Sequence, residues 1–173
     1  MFSFINISSK YVILRNYENI QCINPKDSDI DFLTTDQDFS FHMNAVKKHK
    51  SKNRAAYNIK IGDINYNADI RHINDGYYDP KWVDGIIKNR ILYKNSFFIP
   101  SVQDEFFSLL YHSLIHKNNI ADKYLRKLSD LYHEIDIGYN SNFSANNMDM
   151  IKILDQYIDE KGYSITNPND YSV

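Results

Sequence analysis

The chain has 173 residues, 43% hydrophobic and 24% charged, which excludes a disordered polymer and supplies enough apolar material for a core. Lys and Arg total 20 against 22 Asp and Glu, a formal charge of -2, so the whole chain has no net pull toward nucleic acid or anionic lipid, and a nucleic-acid partner is not expected. One cysteine, Cys22, excludes an internal disulfide framework and a cysteine-rich zinc site.

The opening Met1-Phe2-Ser3-Phe4-Ile5-Asn6 lacks the basic start and apolar length of a signal peptide, and no stretch approaches the ~18 apolar residues of a membrane span. A cytoplasmic protein without a membrane partner is expected. Tyr11-Val12-Ile13-Leu14 is a short β-branched apolar run of the buried-strand kind. Asn24-Pro25-Lys26-Asp27 marks a loop, because Pro fixes φ and Asn and Asp favour turns. Asp29-Ile30-Asp31-Phe32-Leu33 begins with the alternation of a strand. Residues 39–47 place Phe39, Met43 and Val46 at helical spacing, with Asp36 or Asp38 as N-cap. Residues 56–61 and 64–73 flank Gly62-Asp63, a hairpin loop with Gly first as a type II′ turn prefers. One hairpin face then carries Tyr57, Ile59, Ile61, Ile64, Tyr66, Ala68 and Ile70. The open face carries Asn58, Lys60, Asn65, Asn67, Asp69 and Arg71.

Beyond Tyr77-Tyr78 the pattern turns helical. Asp79 and Pro80 read as N-cap and first helical residue, and Trp82 and the two tyrosines as core. Residues 104–117 carry an apolar stripe of Phe107, Leu110, Tyr111 and Leu114, extended by Phe106. Residues 123–134 repeat it with Tyr124, Leu128, Leu131 and Tyr132. After a polar loop at 140–147, a last helix over 148–161 presents Ile151, Leu154 and Ile158, and Gly162 stands at C′. The expected class is α+β: a small mixed sheet with flanking helices over residues 1–100, then a helical subdomain over 101–173 packed on it as one unit.

Strand alternation projects Asp29 and Asp31 from one face while Ile30 and Phe32 enter the core. Asp69 projects from the open face of the hairpin. If the two strands are neighbours, three carboxylates converge, and such a cluster repels itself unless cations fill it. Hard oxygen ligands suit Mg²⁺ or Mn²⁺. The bland alternative is an Asp-rich segment whose carboxylates cap loops.

A strand, a loop, Asp29-Ile30-Asp31-Phe32 and a later strand with Asp69 resemble the polymerase-beta-like nucleotidyltransferase superfamily. Its signature is a strand, a Gly-Ser or Gly-Gly turn, an Asp-x-Asp or Asp-x-Glu strand and a third acid on a following strand. Leu14-Arg15-Asn16-Tyr17-Glu18, Asp69-Ile70-Arg71 with Asp75-Gly76-Tyr77-Tyr78-Asp79, and Leu110-Tyr111-His112 to His116-Lys117 resemble a poorly characterised branch of it. The closing Asp170-Tyr171-Ser172-Val173 is similar as well. The resemblance implies metal-dependent transfer of a nucleoside monophosphate from a nucleoside triphosphate to a hydroxyl or phosphate of an acceptor. Members of the branch occur near surface-glycan genes and in large DNA viruses; a sugar or alditol phosphate, a protein side chain and a nucleic-acid end stay open as acceptors, and the glycan neighbourhood favours the first. Asp29, Asp31 and Asp69 would be the catalytic and metal residues; Arg15, Asn16, Arg71, His112, His116 and Lys117 would meet nucleotide or phosphate. The chain departs from the signature where Arg15-Asn16-Tyr17 replaces Gly-Ser. Either the guanidinium supplies a forked phosphate contact instead, or no triphosphate binds there. The missing Gly-Ser also motivates a rival reading, a catalytically silent nucleotide-binding module that keeps the fold without turnover, and the short length a second, a protein-interaction module of viral or toxin–antitoxin type.

His112 and His116 lie four apart on the helix, opposite its apolar stripe and near Glu105 and Ser108. Without a third ligand they suit phosphate contact or a solvated face better than zinc. Residues 47–54, Lys47-Lys48-His49-Lys50-Ser51-Lys52-Asn53-Arg54, form a basic run that reads as a solvated connector or a grip for a polyanionic acceptor.

Overall fold

Short apolar strands alternate their side chains between two faces, and here they assemble by that rule except at one position. A computed structural model describes residues 2–18, 20, 29–50, 54–135 and 147–170. The loop expected at 24–27, Cys22, residues 51–53 of the basic run, most of the 140–147 stretch and the closing Tyr171-Ser172-Val173 lie outside the described residues.

The elements are α1 (Phe2–Ser8), β1 (Tyr11–Arg15), β2 (Asp29–Thr34), α2 (Phe39–His42), β3 (Val46–Lys47), β4 (Ala56–Ile61), β5 (Ile64–His72), α3 (Pro80–Lys88), β6 (Ile91–Tyr93), β7 (Phe97–Ile99), α4 (Val102–Tyr111), α5 (Asp122–Glu134) and α6 (Asn147–Lys161). Five strands form a mixed sheet in the order β1-β2-β5-β4-β3, and β6 and β7 form a separate antiparallel pair. Within the sheet β2 and β5 run parallel, while the other neighbours are antiparallel. The class is therefore α+β with a mixed sheet, as the residue pattern predicts. None of the helices among the described residues is long and apolar enough to cross a membrane.

The chain divides into two units: Met1–Pro100 with Thr166–Ser172, and Ser101–Ile165. In the first, one face of the sheet carries a core that includes Tyr11, Ile13, Ile30, Phe32, Ile59, Tyr66 and Ile70, closed by Ile5 of α1 and Phe39 of α2. Away from it, α3 packs against β1 and β2 and buries Trp82, Val83, Ile86 and Ile87. The Asp79 carboxylate caps α3 by accepting from the Lys81 amide at 2.8 Å, and Pro80 sits at the start. Tyr77, Tyr78 and Trp82 are buried, with the Tyr78 and Trp82 rings 5.0 Å apart. The β4–β5 hairpin pairs Ile61 with Ile64 around Gly62, whose φ is +61°. Positive φ at the first loop position alone is what a type II′ turn requires.

Sequence spacing misses several details. The expected helix over 39–47 lasts only four residues; Asn44 then takes φ +49°, and Val46–Lys47 joins the sheet edge as β3. Asp38 is the N-cap residue, but its side chain makes no cap bond; Asp36 Oδ1 accepts the Asp38 amide instead at 2.9 Å. The hairpin's open face is not uniformly open, because Arg71 is buried.

In the second unit α5 and α6 each pack on α4, and Phe107 stacks on Tyr157 with centroids 3.6 Å apart. Ser101 caps α4, its hydroxyl accepting the Asp104 amide at 3.2 Å. From His112 to His116 the helix widens into a π turn, with the Lys117 amide donating to the His112 carbonyl at 3.1 Å. A wider turn advances less per residue, so the faces beyond it no longer follow the α period. Leu114 is half-buried, and His112 and His116, expected on a polar face, are buried. On α6 the buried stripe comprises Met150, Ile153, Leu154, Tyr157 and Ile158, whereas Ile151 is exposed. Gly162 ends the helix with φ +63°.

Candidate functional site

The exception to strand alternation builds the site. In β1, Tyr11, Ile13 and Arg15 would share one face, yet the register with β2 shifts between Ile13 and Arg15. Ile13 pairs with Phe32 and Arg15 with Asp31, so Leu14 is the extra residue of a bulge. The bulge turns Arg15 out of the core side and onto the face of Asp31. There its Nε donates to Asp31 Oδ2 at 2.9 Å and its Nη2 to the Tyr77 hydroxyl at 3.2 Å.

The parallel β2–β5 ladder then sets the carboxylates. Asp31 lies directly beside Asp69 and Asp29 beside Asn67, so Asp29, Asp31 and Asp69 share one face of two adjacent strands. Asp29 is exposed, and Asp31 and Asp69 are half-buried. Arg71, two residues beyond Asp69, approaches it at 3.5 Å and meets Asp170 at 3.1 Å. Asp170 is buried and also accepts the Ala55 amide at 3.0 Å. The Tyr77 ring lies under the Arg71 guanidinium, 4.4 Å from its carbon. Tyr77 thus touches both guanidinium groups, one through its hydroxyl and one through its ring.

Burial and then the neighbouring charge of Asp31 push the Asp69 pKa up, against the opposing pull of Arg71. Burial works against the Arg15 charge, but Asp31 and the two tyrosines hold that group's pKa well above its ordinary value. Tyr77 is raised by its burial. The turn that carries Tyr77 is fixed by Asp75, whose two oxygens accept the Tyr77 amide at 2.8 Å and the His72 amide at 3.2 Å. Asn16 follows β1 at φ +63° and donates its side-chain amide to the Asp29 carbonyl at 3.0 Å, tying the end of β1 to the start of β2.

The residues singled out in the sequence therefore fall into two groups. Arg15, Asn16, Asp29, Asp31, Asp69 and Arg71 meet on the first unit. His112, His116 and Lys117 belong to the second. There the imidazoles of His112 and His116 stand 5.7 Å apart, Tyr111 packs edge-on to His116, and Lys117 is exposed. Glu105 and Ser108 are buried on the same helix, and Lys127 meets Glu105 at 2.5 Å. Sequence reasoning misses Tyr77 and Asp170 as members of the site. Tyr77 reads as core, which it also is, and Asp170 lies 99 residues from the arginine it holds.

The donor set for a metal is made only of carboxylate oxygens, which fits the hard cations Mg²⁺ and Mn²⁺. Among the described residues Asp31, Asp69 and Asp170 pair with two guanidinium groups, and Lys48 donates to Asn67, the residue beside Asp29, at 2.9 Å. Among the described residues no group of three or more His, Cys, Asp or Glu is already arranged to hold a metal ion. Oxygen atoms beyond those engaged by Arg15 and Arg71 would have to complete such a site. No protein-family model, curated protein or solved structure matches the chain.

Proposed function

We propose that the chain is a cytoplasmic, metal-dependent nucleotidyltransferase that moves a nucleoside monophosphate from a nucleoside triphosphate to a hydroxyl or phosphate of an acceptor, a sugar or alditol phosphate being the favoured class. The observation that carries this reading is the register of the parallel strands: Asp31 stands beside Asp69, and Asp29 lies two residues along on the same face. An Asp-x-Asp strand with a third acid on a neighbouring strand is the arrangement this reading needs, and the register supports it. Asn16 supports it further. At φ +63° it holds a backbone conformation that glycine adopts most readily and asparagine tolerates better than most, in the position of the superfamily's glycine-bearing turn.

Asp29, Asp31 and Asp69 would hold Mg²⁺ or Mn²⁺, which supplies charge neutralisation at the phosphates. Asp69 would take the proton of the attacking hydroxyl. The acceptor oxygen bonds to the α-phosphorus, the bond from that phosphorus to the β-bridging oxygen breaks, and pyrophosphate leaves with the electron pair. Asn16 shapes the approach to the site, and Arg15 and Arg71 spread positive charge beneath it.

A second reading rests on one contact. The Arg15–Asp31 ion pair of 2.9 Å already supplies a cation to the central carboxylate, as a nucleotide-binding or protein-interaction module without turnover would retain. Calorimetry with Mn²⁺ and a panel of nucleoside triphosphates, followed by mass analysis of products with sugar and alditol phosphates, separates the two. The transferase reading expects pyrophosphate release, with metal binding weakened in Asp31→Asn while the fold is kept. Nucleotide that binds and is never consumed selects the silent module. Equal Mn²⁺ affinity in Asp31→Asn and the parent removes the metal site.

A further inference from the structure

Along β5, Asp69 and Arg71 stand on the carboxylate face, so Ile70 and His72 stand on the other. At that end of the strand lies a cavity of about 150 Å³, lined among others by Arg54, Tyr57, Ile70, His72, Asp75 and Asn169. The transfer reaction proposed above makes no use of it, because β5 separates it from the carboxylates.

Its walls carry unmatched polar chemistry. Arg54 and Asp75 have opposite charge, and no ion pair joins them among the described residues. Each Asp75 oxygen accepts one backbone amide and keeps capacity for a second donor. The His72 ring hydrogen-bonds to the Asp36 backbone, while its Nδ1 is buried without a hydrogen-bond partner. The donating nitrogen is therefore Nε2. Burial pulls the pKa of the imidazole down, so the ring is neutral at pH 7 and Nδ1 is left as an acceptor. A buried acceptor without a partner is costly and invites a donor. A bare anion meets Asp75 and finds no donor in Nδ1. A bare cation meets Arg54. A molecule with both charges satisfies all three groups.

We propose that this cavity binds a small zwitterion, an α-amino acid of roughly five to seven heavy atoms by comparison with the ~150 Å³ cavities that hold benzene. Its ammonium group donates to His72 Nδ1 and Asp75, and its carboxylate meets Arg54 and the side-chain amide of Asn169. A nucleotide is far too large for the space.

Calorimetry with glycine tests this directly, with acetate and methylamine as the two half-ligands. Glycine should bind saturably and each half-ligand at least about tenfold more weakly, the loss expected when a charge-assisted hydrogen bond is not made. Arg54→Met should weaken glycine by a similar factor while leaving the melting temperature and Mn²⁺ binding unchanged. His72→Phe keeps the ring and removes the acceptor, and should also weaken glycine. In the parent, glycine should move the ¹⁵N resonance of His72 Nδ1. No saturable glycine binding, acetate binding as well as glycine, or parent-like affinity in Arg54→Met would each overturn the proposal.

Discussion

Asp69 is the residue at which stability and the proposed chemistry pull apart. Its pKa is raised by burial and by Asp31, so the folded state favours the protonated form. Such a group contributes stability that is complete below the ordinary carboxylate pKa and is lost as pH rises through the raised one. Asp69→Asn should therefore melt above the parent at pH 7. The gap should close as pH falls toward about 3, where the parent carboxyl is itself neutral. The same variant should bind Mn²⁺ less tightly, the trade expected where a site stores charge repulsion. A melting temperature at pH 7 no higher than the parent's would show that Arg71 offsets the crowding. Asp36 behaves oppositely. Although its partial burial raises the pKa, the Ser9 hydroxyl, the Asp38 amide and His42 lower it on balance, so its contribution is present above the ordinary pKa and fades in acid. Tyr77 offers a cleaner dissection. Tyr77→Phe keeps the ring 4.4 Å from Arg71 and deletes the acceptor of Arg15. Denaturant titration should show a loss of about 1.5–3 kcal/mol, the usual worth of a hydrogen bond to a charged group. Tyr77→Leu should cost more, because the cation–π contact goes as well.

Among the elements, two glycine turns separate backbone strain from assembly of the site. Gly62 has φ +61° with open space where a Cβ would stand, so Gly62→Ala should cost about 1–2 kcal/mol through conformation alone. Gly76 has φ +78°, and a Cβ there would lie 2.3 Å from the Asn167 carbonyl oxygen. Gly76→Ala must therefore push away the segment that delivers Asp170 to Arg71, and should cost more and also weaken Mn²⁺ binding. Equal stability losses and unchanged Mn²⁺ affinity in both variants would show that the segment plays no part in the site. These turns also mark how far the residue pattern reaches. The hairpin around Gly62, the β2 strand and the Asp79-Pro80 helix start are local signals, and each appears where its residues place it. The β1 bulge is not local. Tyr11 to Arg15 alternates without a break, and only pairing with β2 reveals that Leu14 is an extra residue. The π turn at His112–His116 is equally silent in the pattern, and so is the burial of the polar face, where Glu105 and Ser108 ahead of the turn are buried like the two histidines. The β6–β7 pair is too short to carry a period at all.

For the whole molecule, charge placement says more than charge total. The formal sum of -2 gives no sign of a site, yet the sheet gathers Asp29, Asp31 and Asp69, and a distant segment adds Asp170, around Arg15 and Arg71. Three of these carboxylates are legible as a motif. Asp170 is not, because its partner Arg71 lies 99 residues earlier in the chain. Its role is nevertheless exposed by one substitution. Asp170→Asn keeps an oxygen for the Ala55 amide but removes the charge facing Arg71, so Arg71 is left with Asp69 as its carboxylate partner in the cluster. That closer pairing should withdraw Asp69 from a metal ion. The clearest reading is by linkage, since a ligand that binds only the folded chain stabilises it by mass action. Mn²⁺ at a hundred times its Kd should add about 2.7 kcal/mol, or roughly 5–10 °C in melting temperature for a chain of this size. The parent should show this rise, and it should persist at moderate salt because Asp31 and Asp69 are half-buried and poorly screened. In Asp170→Asn the baseline melting temperature should fall, and the Mn²⁺-induced rise should shrink as well. A parent whose melting temperature ignores Mn²⁺ would end the metal reading. An Asp170 variant that keeps the full rise would separate the C-terminal segment from the site and leave it a structural clasp on β4 and β5.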